Sequence, residues 1–477
     1  MKFLRPTLLT LACLLASPGF ADDLPSLGDA SSAIVSQQQE YQLGRAWLGM
    51  LRGQVSQLSD PQLKDYVETS VYRLAETSQV QNPQLEFILI NSRELNAFAA
   101  PGGIVGINGG LFLNAQTEAE YAAVLAHELA HLSQRHFARG VEAQRRMQVP
   151  MLAAMLAGIV IAAAGAGDAG IATIAGTQAA AIQEQTRFSR ANEQEADRIG
   201  IINLQKAGYD PRAMPNMFER LMRQYRFDAK PPEFLLDHPV TESRIADTRN
   251  RAEQEKPGGK EDSLPYQLMR ARVALYYEES SGLAAKRFRA ELDENPNSDP
   301  MRYGLAIAQI KASQFSVARE TLKPLLSKDP NNITYNLAQA EIDVGSNKLA
   351  DAQQRIDRLK AQLPGNYPLS QARVDLLLKQ NRPVDAEKDL EVMVKARPTD
   401  PDVWSLVADV RGLSGDMVGS NRARAEYFAL IGDYKQAQQQ LEIAKRRSNN
   451  NFQMASRIDA RQRELADQER LLKEMMN

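Results

Sequence analysis

The second half of the chain repeats itself with a period of 34 residues, and this period constrains the fold more than any other feature. Three kinds of residue keep the spacing: Ala284, Ala318, Ala352 and Ala386; Phe288, Leu322, Ile356 and Leu390; and Pro296, Pro330, Pro364 and Pro398. Alanine allows two helices to approach closely, the large apolar residue packs one turn further along, and proline ends the second helix. Such a unit buries its apolar face only against its neighbours. Residues 265–477 are therefore predicted to form an all-α solenoid.

The repeated unit resembles the tetratricopeptide repeat, whose stacked copies form a concave groove for peptides or partner proteins. A generic helical bundle is the alternative, but a bundle needs no such period. Beyond Pro398 the register drifts, so we expect an irregular helical pair and then a capping helix in the charged run 455–475. Residues 256–264, KPGGKEDSL, are polar with proline and paired glycines, which predicts a linker before the solenoid.

Residues 1–21 have the organisation of a cleavable secretory signal. Lys2 and Arg5 precede a short apolar core, and small residues lead up to Ala21. An N-terminal anchor is the alternative, although the core is too short to span a bilayer. The only cysteine, Cys13, lies in this segment, so the mature chain would have no thiol, which suits an oxidising compartment such as a bacterial periplasm. The net charge of −2 gives no support for nucleic-acid binding.

The sequence HELAH carries the pattern H-E-x-x-H. In a helix, His127 and His131 lie one turn apart on the same side, as two imidazole ligands of zinc, with Glu128 beside them as a base for an attacking water. Glu128 lies on an otherwise apolar face, where a carboxylate is unfavourable unless it has a chemical task. An accidental pair of surface histidines is the alternative, but the chain has only four histidines, so a chance match is rare.

A catalytic zinc ion needs a third protein ligand and an open coordination position. Glu193 and Asp197 are four residues apart on one face of a predicted helix, whereas Glu195 between them points away. We expect Glu193 to be the third ligand of one zinc ion per chain. Asp197 is expected to orient a ligand histidine or to serve as a proton donor. Taken alone, this segment would favour an exposed acidic helix face, and it is the neighbouring H-E-x-x-H pattern that favours a metal ligand.

The spacing of these motifs is similar to that in the M48 family of zinc metallopeptidases. Two further segments share the resemblance, one like the strand and turn before the active helix and one like a later His-Pro element: Asn96–Ala99 with Pro101–Gly103, and His238-Pro239 with Arg244-Ile245. The resemblance implies a zincin-type α+β metalloprotease domain with a small sheet over residues 31–255. The whole chain is therefore expected to be mainly α, with zinc as its cofactor and internal peptide bonds as its target.

An exported member of this family with a repeat tail implies a periplasmic endopeptidase, soluble or peripherally associated with the outer membrane. Its expected substrates are unfolded or stalled outer-membrane β-barrel proteins, which it degrades or helps to mature. The repeats are expected to contact the barrel-assembly machinery. Nucleic acid is not expected to be a partner. The alternative is a repeat-based adaptor or chaperone of that machinery, with a latent or rarely used protease site.

The two remaining histidines have different predicted roles. His136 follows His131 by five residues, about 140° round an ideal helix, and is predicted not to be a ligand. His238 has three open interpretations: it blocks the free zinc position, stabilises a transition-state oxyanion, or caps the turn before Pro239. Arg244 is expected to pair either with an active-site carboxylate or with a surface group.

Three apolar segments remain in the first domain. Phe87–Ile90 and residues 104–112 are flanked by glycine turns and predict strands, whose edge suits a substrate strand added by β-pairing. Residues 151–167 are rich in glycine and alanine and just too short for a spanning helix. They are predicted to form a pair of buried or gate-forming helices beside the site, with membrane insertion or peripheral membrane contact as the alternatives.

Overall fold

The computed structural model describes residues 36–82, 84–143, 190–227, 231–256, 258–448 and 451–476. The predicted signal at 1–21 and the apolar segment 151–167 lie outside these described residues. Across the described ranges, no helix combines the length and the apolar character needed to cross a membrane.

The first part of the chain packs helices around a three-stranded sheet. Its elements are α1 (Gln37–Gln54), α2 (Pro61–Thr77), β1 (Glu86–Ile90), β2 (Ala97–Ala100), β3 (Ile104–Asn108), α3 (Gly109–Asn114), α4 (Glu118–Ser133), α5 (His136–Ala143), α6 (Arg190–Lys206), α7 (Ala213–Tyr225), α8 (Glu233–Asp237) and α9 (Glu242–Gln254). The predicted small sheet in a mainly α chain is therefore confirmed, but the strand predicted over residues 104–112 ends at Asn108, where α3 begins.

The sheet has the strand order β1-β3-β2 and leaves β2 at one edge. Strand β1 runs parallel to β3, and β2 runs antiparallel to β3 with Ala97 opposite Ile107. The outer edge of β1 is covered, because the amide of Leu58 donates to the carbonyl of Leu89 at 3.0 Å. The β2–β3 turn requires glycine, since Gly102 has a φ of +80°. Strand β2 is thus the sheet edge nearest to α4.

Helix α4 is the centre of this part and is buried along almost its whole length. Thr117 caps its first turn by accepting a hydrogen bond from the backbone amide of Glu120. Helix α6 crosses α4 closely at Gly200, where a Cβ atom would lie 3.2 Å from the amide nitrogen of His127. This glycine allows the backbones of α4 and α6 to approach, and their contact brings the candidate site together.

The second part is an all-α solenoid. Its helices are α10 (Leu264–Tyr276), α11 (Ser281–Glu294), α12 (Asp299–Lys311), α13 (Phe315–Lys328), α14 (Ile333–Gly345), α15 (Leu349–Gln362), α16 (Tyr367–Lys379), α17 (Glu387–Ala396, preceded by a 3₁₀ turn at Pro383–Ala386), α18 (Pro401–Leu413), α19 (Met417–Leu430), α20 (Tyr434–Arg447) and α21 (Phe452–Met476). All four repeated alanines have no exposed surface. Each repeated proline stands two residues beyond a helix end, as Pro330 does beyond Lys328. The periodic pattern thus places its residues as predicted.

The two parts are in contact, and the segment between them is anchored. Within the predicted linker 256–264, the amide of Lys260 donates to the carbonyl of Gly208 at 2.8 Å, and the Lys260 ammonium lies 2.6 Å from Glu118. Helix α2 packs against α10 and α16 of the solenoid, and Lys64 on α2 lies 3.0 Å from Asp400. The boundaries 31–255, 256–264 and 265–477 stay a prediction.

Candidate metal centre

Helix α4 presents both histidines of the H-E-x-x-H pattern to one point. His127 and His131 are buried, and their Nε2 atoms lie 3.0 Å apart because the residues are one helical turn apart. The two rings meet edge to face at a centroid distance of 4.7 Å. Neutral imidazole nitrogens that converge in this way present two lone pairs to a common position, as ligands of one metal ion do.

Glu193 and His238 complete a group of four donors. On α6, the carboxylate of Glu193 lies 3.4 Å from Nε2 of His131 and 3.5 Å from Nε2 of His127. His238 follows α8 and places its Nδ1 atom 3.1 Å from Glu193 and 3.4 Å from His127. One donor atom from each of the four residues lies within 4.8 Å of the others, and all four are buried.

This donor set fits a divalent metal ion. Three ring nitrogens and one carboxylate are ligands that zinc takes in four-coordinate sites. Burial would raise the pKa of the Glu193 carboxyl, but His238 and His127 beside it hold that pKa well below its usual range. The carboxylate is therefore ionised where a cation would be bound, and the described residues offer the charge and the donors that such an ion requires.

Glu128 lies beside the four donors and is held by strand β2. The amide of Ala99 donates to its Oε2 atom at 3.1 Å, while its Oε1 atom lies 3.5 Å from Nε2 of His238. Burial raises the pKa of the Glu128 carboxyl, and the nearby His238 and His127 oppose that rise. A carboxylate with a raised pKa is a stronger base than an exposed glutamate, which is the property that proton transfer from water requires.

Asp197 and Arg244 support the donor group from behind. The carboxylate of Asp197 lies 3.0 Å from Nδ1 of His127, so the opposite nitrogen of that ring faces the donor group. Arg244 donates to both oxygens of Asp197 at 2.7 Å and also lies 2.9 Å from Glu193. Burial alone would raise the pKa of Asp197, but its bonds to Arg244 and His127 lower that pKa. Of the two alternatives for Arg244, the structure shows pairing with carboxylates of the site.

His136 contacts the site, although the sequence predicts only that it is not a ligand. Its Nδ1 atom lies 2.8 Å from Nδ1 of His131, and its Nε2 atom lies 3.2 Å from Glu195. The angle of an ideal helix fails here because α4 ends at Ser133 and Arg135 adopts a φ of +49°, which turns the chain back before α5. Arginine is not a residue type that favours positive φ, so no sequence signal marks this turn. Glu195 does point away from Glu193 and Asp197, as predicted, and it meets His136.

Comparison with known proteins gives matches to both parts of the chain. Residues 61–252 match Peptidase family M48, and residues 280–342 and 344–410 match the tetratricopeptide repeat. The chain is 34% identical over 442 residues to the beta-barrel assembly-enhancing protease of Yersinia pestis, covering 92% of this chain and 91% of that protein. It is 38% identical over 316 residues to the protein of that name in Escherichia coli K12, covering 65% of each. The mitochondrial metalloendopeptidase OMA1 of Arabidopsis thaliana is 28% identical over 205 residues, covering 43% of this chain and 40% of that protein.

Proposed function

The chain belongs to peptidase family M48, with beta-barrel assembly-enhancing proteases among its relatives, and from this membership we propose that it is a zinc-dependent endopeptidase of the periplasm. Its proposed substrates are misassembled outer-membrane β-barrel proteins, which it degrades or helps to mature. The observation that carries the proposal is the convergence of four buried donor atoms within 4.8 Å, directly beside the buried carboxylate of Glu128.

In this proposal His127, His131 and Glu193 hold one zinc ion. A divalent metal held by these residues would supply Lewis-acid chemistry, polarising a carbonyl oxygen and lowering the pKa of a water molecule. Glu128 takes the proton of the attacking water and passes it to the leaving amine. The amide of Ala99 fixes one oxygen of Glu128, so the other oxygen is the one available to the proton. Asp197 sets the orientation of His127 at 3.0 Å.

His238 is proposed to be a regulatory ligand. Its Nδ1 atom lies 3.1 Å from Glu193, among the donors, and its loop follows the five-residue helix α8. Water needs the coordination position that His238 would fill, so the resting enzyme would be latent. The alternative role is that His238 stabilises a developing oxyanion, while Arg244 holds the carboxylates of Glu193 and Asp197.

An edge strand in the first part and the repeats in the second part are both compatible with a substrate whose strands are unpaired. Strand β2 is an edge strand next to Glu128, and an extended segment of a stalled barrel protein can add to such an edge. The repeats are proposed to contact the barrel-assembly machinery. Export by the signal at 1–21 and a peripheral contact of 151–167 with the membrane belong to the same proposal, and both segments lie outside the described residues.

The decisive experiment compares metal content and cleavage in full-length variants. The substrate is a urea-denatured outer-membrane β-barrel protein diluted into the assay. We expect Glu128→Gln to retain one zinc ion and to cleave at least about 100-fold more slowly, because the base is lost while the ligands remain. Glu242→Gln, an exposed glutamate on α9, is the matched control and should cleave normally. Undiminished cleavage by metal-loaded Glu128→Gln would refute the proposal.

A second variant separates the latent enzyme from the adaptor alternative. His238→Ala should cleave faster than the wild type if His238 fills the free position, and unchanged cleavage with unchanged zinc content would exclude that role. The adaptor or chaperone alternative is favoured by the same observation, since a blocked site is rarely used. It would be supported if no variant cleaves the barrel protein while all of them prevent its aggregation.

A further inference from the structure

The Nδ1 atoms of His127 and His131, which lie on the side of each ring away from the donor group, have different partners. Nδ1 of His127 faces a carboxylate, that of Asp197, at 3.0 Å. Nδ1 of His131 instead faces another imidazole, that of His136, at 2.8 Å. Both contacts are buried, so the hydrogen atom of each ligand ring has a fixed partner within the protein. A ligand histidine usually donates this hydrogen to a carboxylate or a carbonyl, and the second arrangement therefore needs an explanation.

Counting the protons fixes the tautomers of this second arrangement. If Nε2 of His131 binds a metal, its proton is on Nδ1 and is donated to Nδ1 of His136. His136 then accepts with Nδ1 and carries its own proton on Nε2, which faces the carboxylate of Glu195 at 3.2 Å. Arg139 holds the same carboxylate at 2.8 Å. Every donor in the series His131, His136 and Glu195 thus meets an acceptor.

The backbone builds this series from two helices. Helix α5 begins at His136, immediately after Arg135 has turned the chain, and the Arg135 guanidinium is held 3.0 Å from Glu40 of α1. Helix α6 supplies the other end, because Glu195 lies between Glu193 and Asp197 but faces the opposite way. One helix therefore provides a metal donor and the carboxylates that support both histidines.

We propose that His136 is a positioning residue for the metal site: as a neutral imidazole it accepts the Nδ1 proton of His131 and links that ligand to the carboxylate of Glu195. The inference rests on the proposed role of His131 as a metal ligand. Without His136, the ring of His131 loses the acceptor that lies 2.8 Å from its Nδ1 atom. Partners of this kind contribute about 10- to 100-fold to metal affinity in other metal sites.

The test measures the zinc dissociation constant of the full-length protein by competition with a chromophoric chelator. We expect His136→Leu to weaken zinc binding about 10- to 100-fold. His136→Gln should restore most of the affinity, because its amide oxygen accepts from His131 and its amide nitrogen donates to Glu195. With Co²⁺ in place of zinc, the visible absorption bands should change in His136→Leu and return in His136→Gln. Unchanged affinity and unchanged bands in His136→Leu would overturn the proposal.

Two further variants separate the possible failures. His131→Ala should abolish tight zinc binding, and if it does not, the proposed metal site is wrong rather than the role of His136. Glu195→Leu, which removes the acceptor of His136, should weaken zinc binding in the wild-type background and have no further effect in His136→Leu, because Glu195 acts through His136. If His136→Leu does not fold, Glu195→Leu decides alone, and an unchanged zinc affinity in that variant would overturn the proposal.

Discussion

The metalloprotease part and the solenoid bury their polar side chains in different ways. In the first part, one connected network contains most of the buried charge: His127, Glu128, His131, His136, Glu193, Asp197, His238 and Arg244. In the solenoid, the buried polar groups are spread along the chain and are paired between neighbouring helices, as Asp343 is with Arg319 at 2.7 Å and Asp389 with Lys360 at 2.6 Å.

The connected network is typical of a functional site, whereas the distributed pairs are typical of a structural scaffold. A buried charge is unfavourable unless a partner compensates it, so a dense network persists only where every member supports another. Solenoid stability is approximately a sum over repeats and their interfaces, and each repeat satisfies its polar groups with its neighbours. We therefore expect one substitution in the network to disturb the whole site, and one substitution in the solenoid to act locally.

The largest effect is expected for Arg244→Ala. Arg244 is the cation that holds both Glu193 and Asp197, at 2.9 and 2.7 Å, and its loss leaves two buried carboxylates without it. Removal of one partner from a buried ion pair lowers the free energy of unfolding by about 3–5 kcal/mol. Urea unfolding of the metal-free protein measures this change. The control is Arg251→Ala, which removes an arginine on the same helix that pairs on the surface with Asp247. If both variants lowered the free energy of unfolding by the same small amount, Arg244 would not be needed to compensate the buried carboxylates.

A core substitution in the solenoid should lower the free energy of unfolding nearly as much, but its effect should be confined to the repeats. Leu322 has no exposed surface, and Leu→Ala substitutions in such positions lower the free energy of unfolding by about 2–5 kcal/mol. We expect Leu322→Ala to increase hydrogen exchange in α13 and its neighbours. Zinc affinity and cleavage of a short peptide should be unchanged. A loss of zinc affinity would show that the two parts are energetically coupled.

The sequence predicts those parts of the molecule that depend on local periodicity. The buried alanines follow from a repeat, and the approach of His127 to His131 follows from the turn of a helix. The placement of Glu193 beside them rests on a family resemblance, because its position depends on how α6 crosses α4. The contact of His136 with His131 depends on the positive φ of Arg135, and no local sequence pattern predicts that backbone conformation. The roles of all these residues stay predictions until the metal is measured.

The border of the network should show a smaller effect that depends on pH. Burial and the nearby Asp237 raise the pKa of Glu233 from 4.5 to about 7, and its carboxyl accepts a hydrogen bond from the amide of Asn96 at 2.8 Å. A carboxyl whose pKa is higher in the folded state loses its contribution to stability as the pH rises from about 4.5 to 7.

Glu233→Gln keeps the acceptor for Asn96 but removes the titration. The variant should therefore be more stable than the wild type by about 3 kcal/mol at pH 8, and about equally stable near pH 4.5, in urea unfolding of the metal-free protein. Other titrating groups, including the histidines of the site, are present in both proteins and cancel in the difference. A stability gain that is the same at both pH values would show that the carboxyl of Glu233 is not the group responsible.

The smallest effect is expected for Arg319→Ala, the solenoid counterpart of Arg244→Ala. Both substitutions remove an arginine from a buried aspartate, but Asp343 keeps a hydrogen bond from the amide of Gln339 at 2.9 Å and lies 3.5 Å from Arg355. The loss should therefore be about 1 kcal/mol, as for partly exposed ion pairs. The same urea experiment measures it. If Arg319→Ala lowered the free energy of unfolding as much as Arg244→Ala does, the repeat would depend on a single ion pair as strongly as the site does. The remaining partners of Asp343 would then not compensate for the loss of one of them.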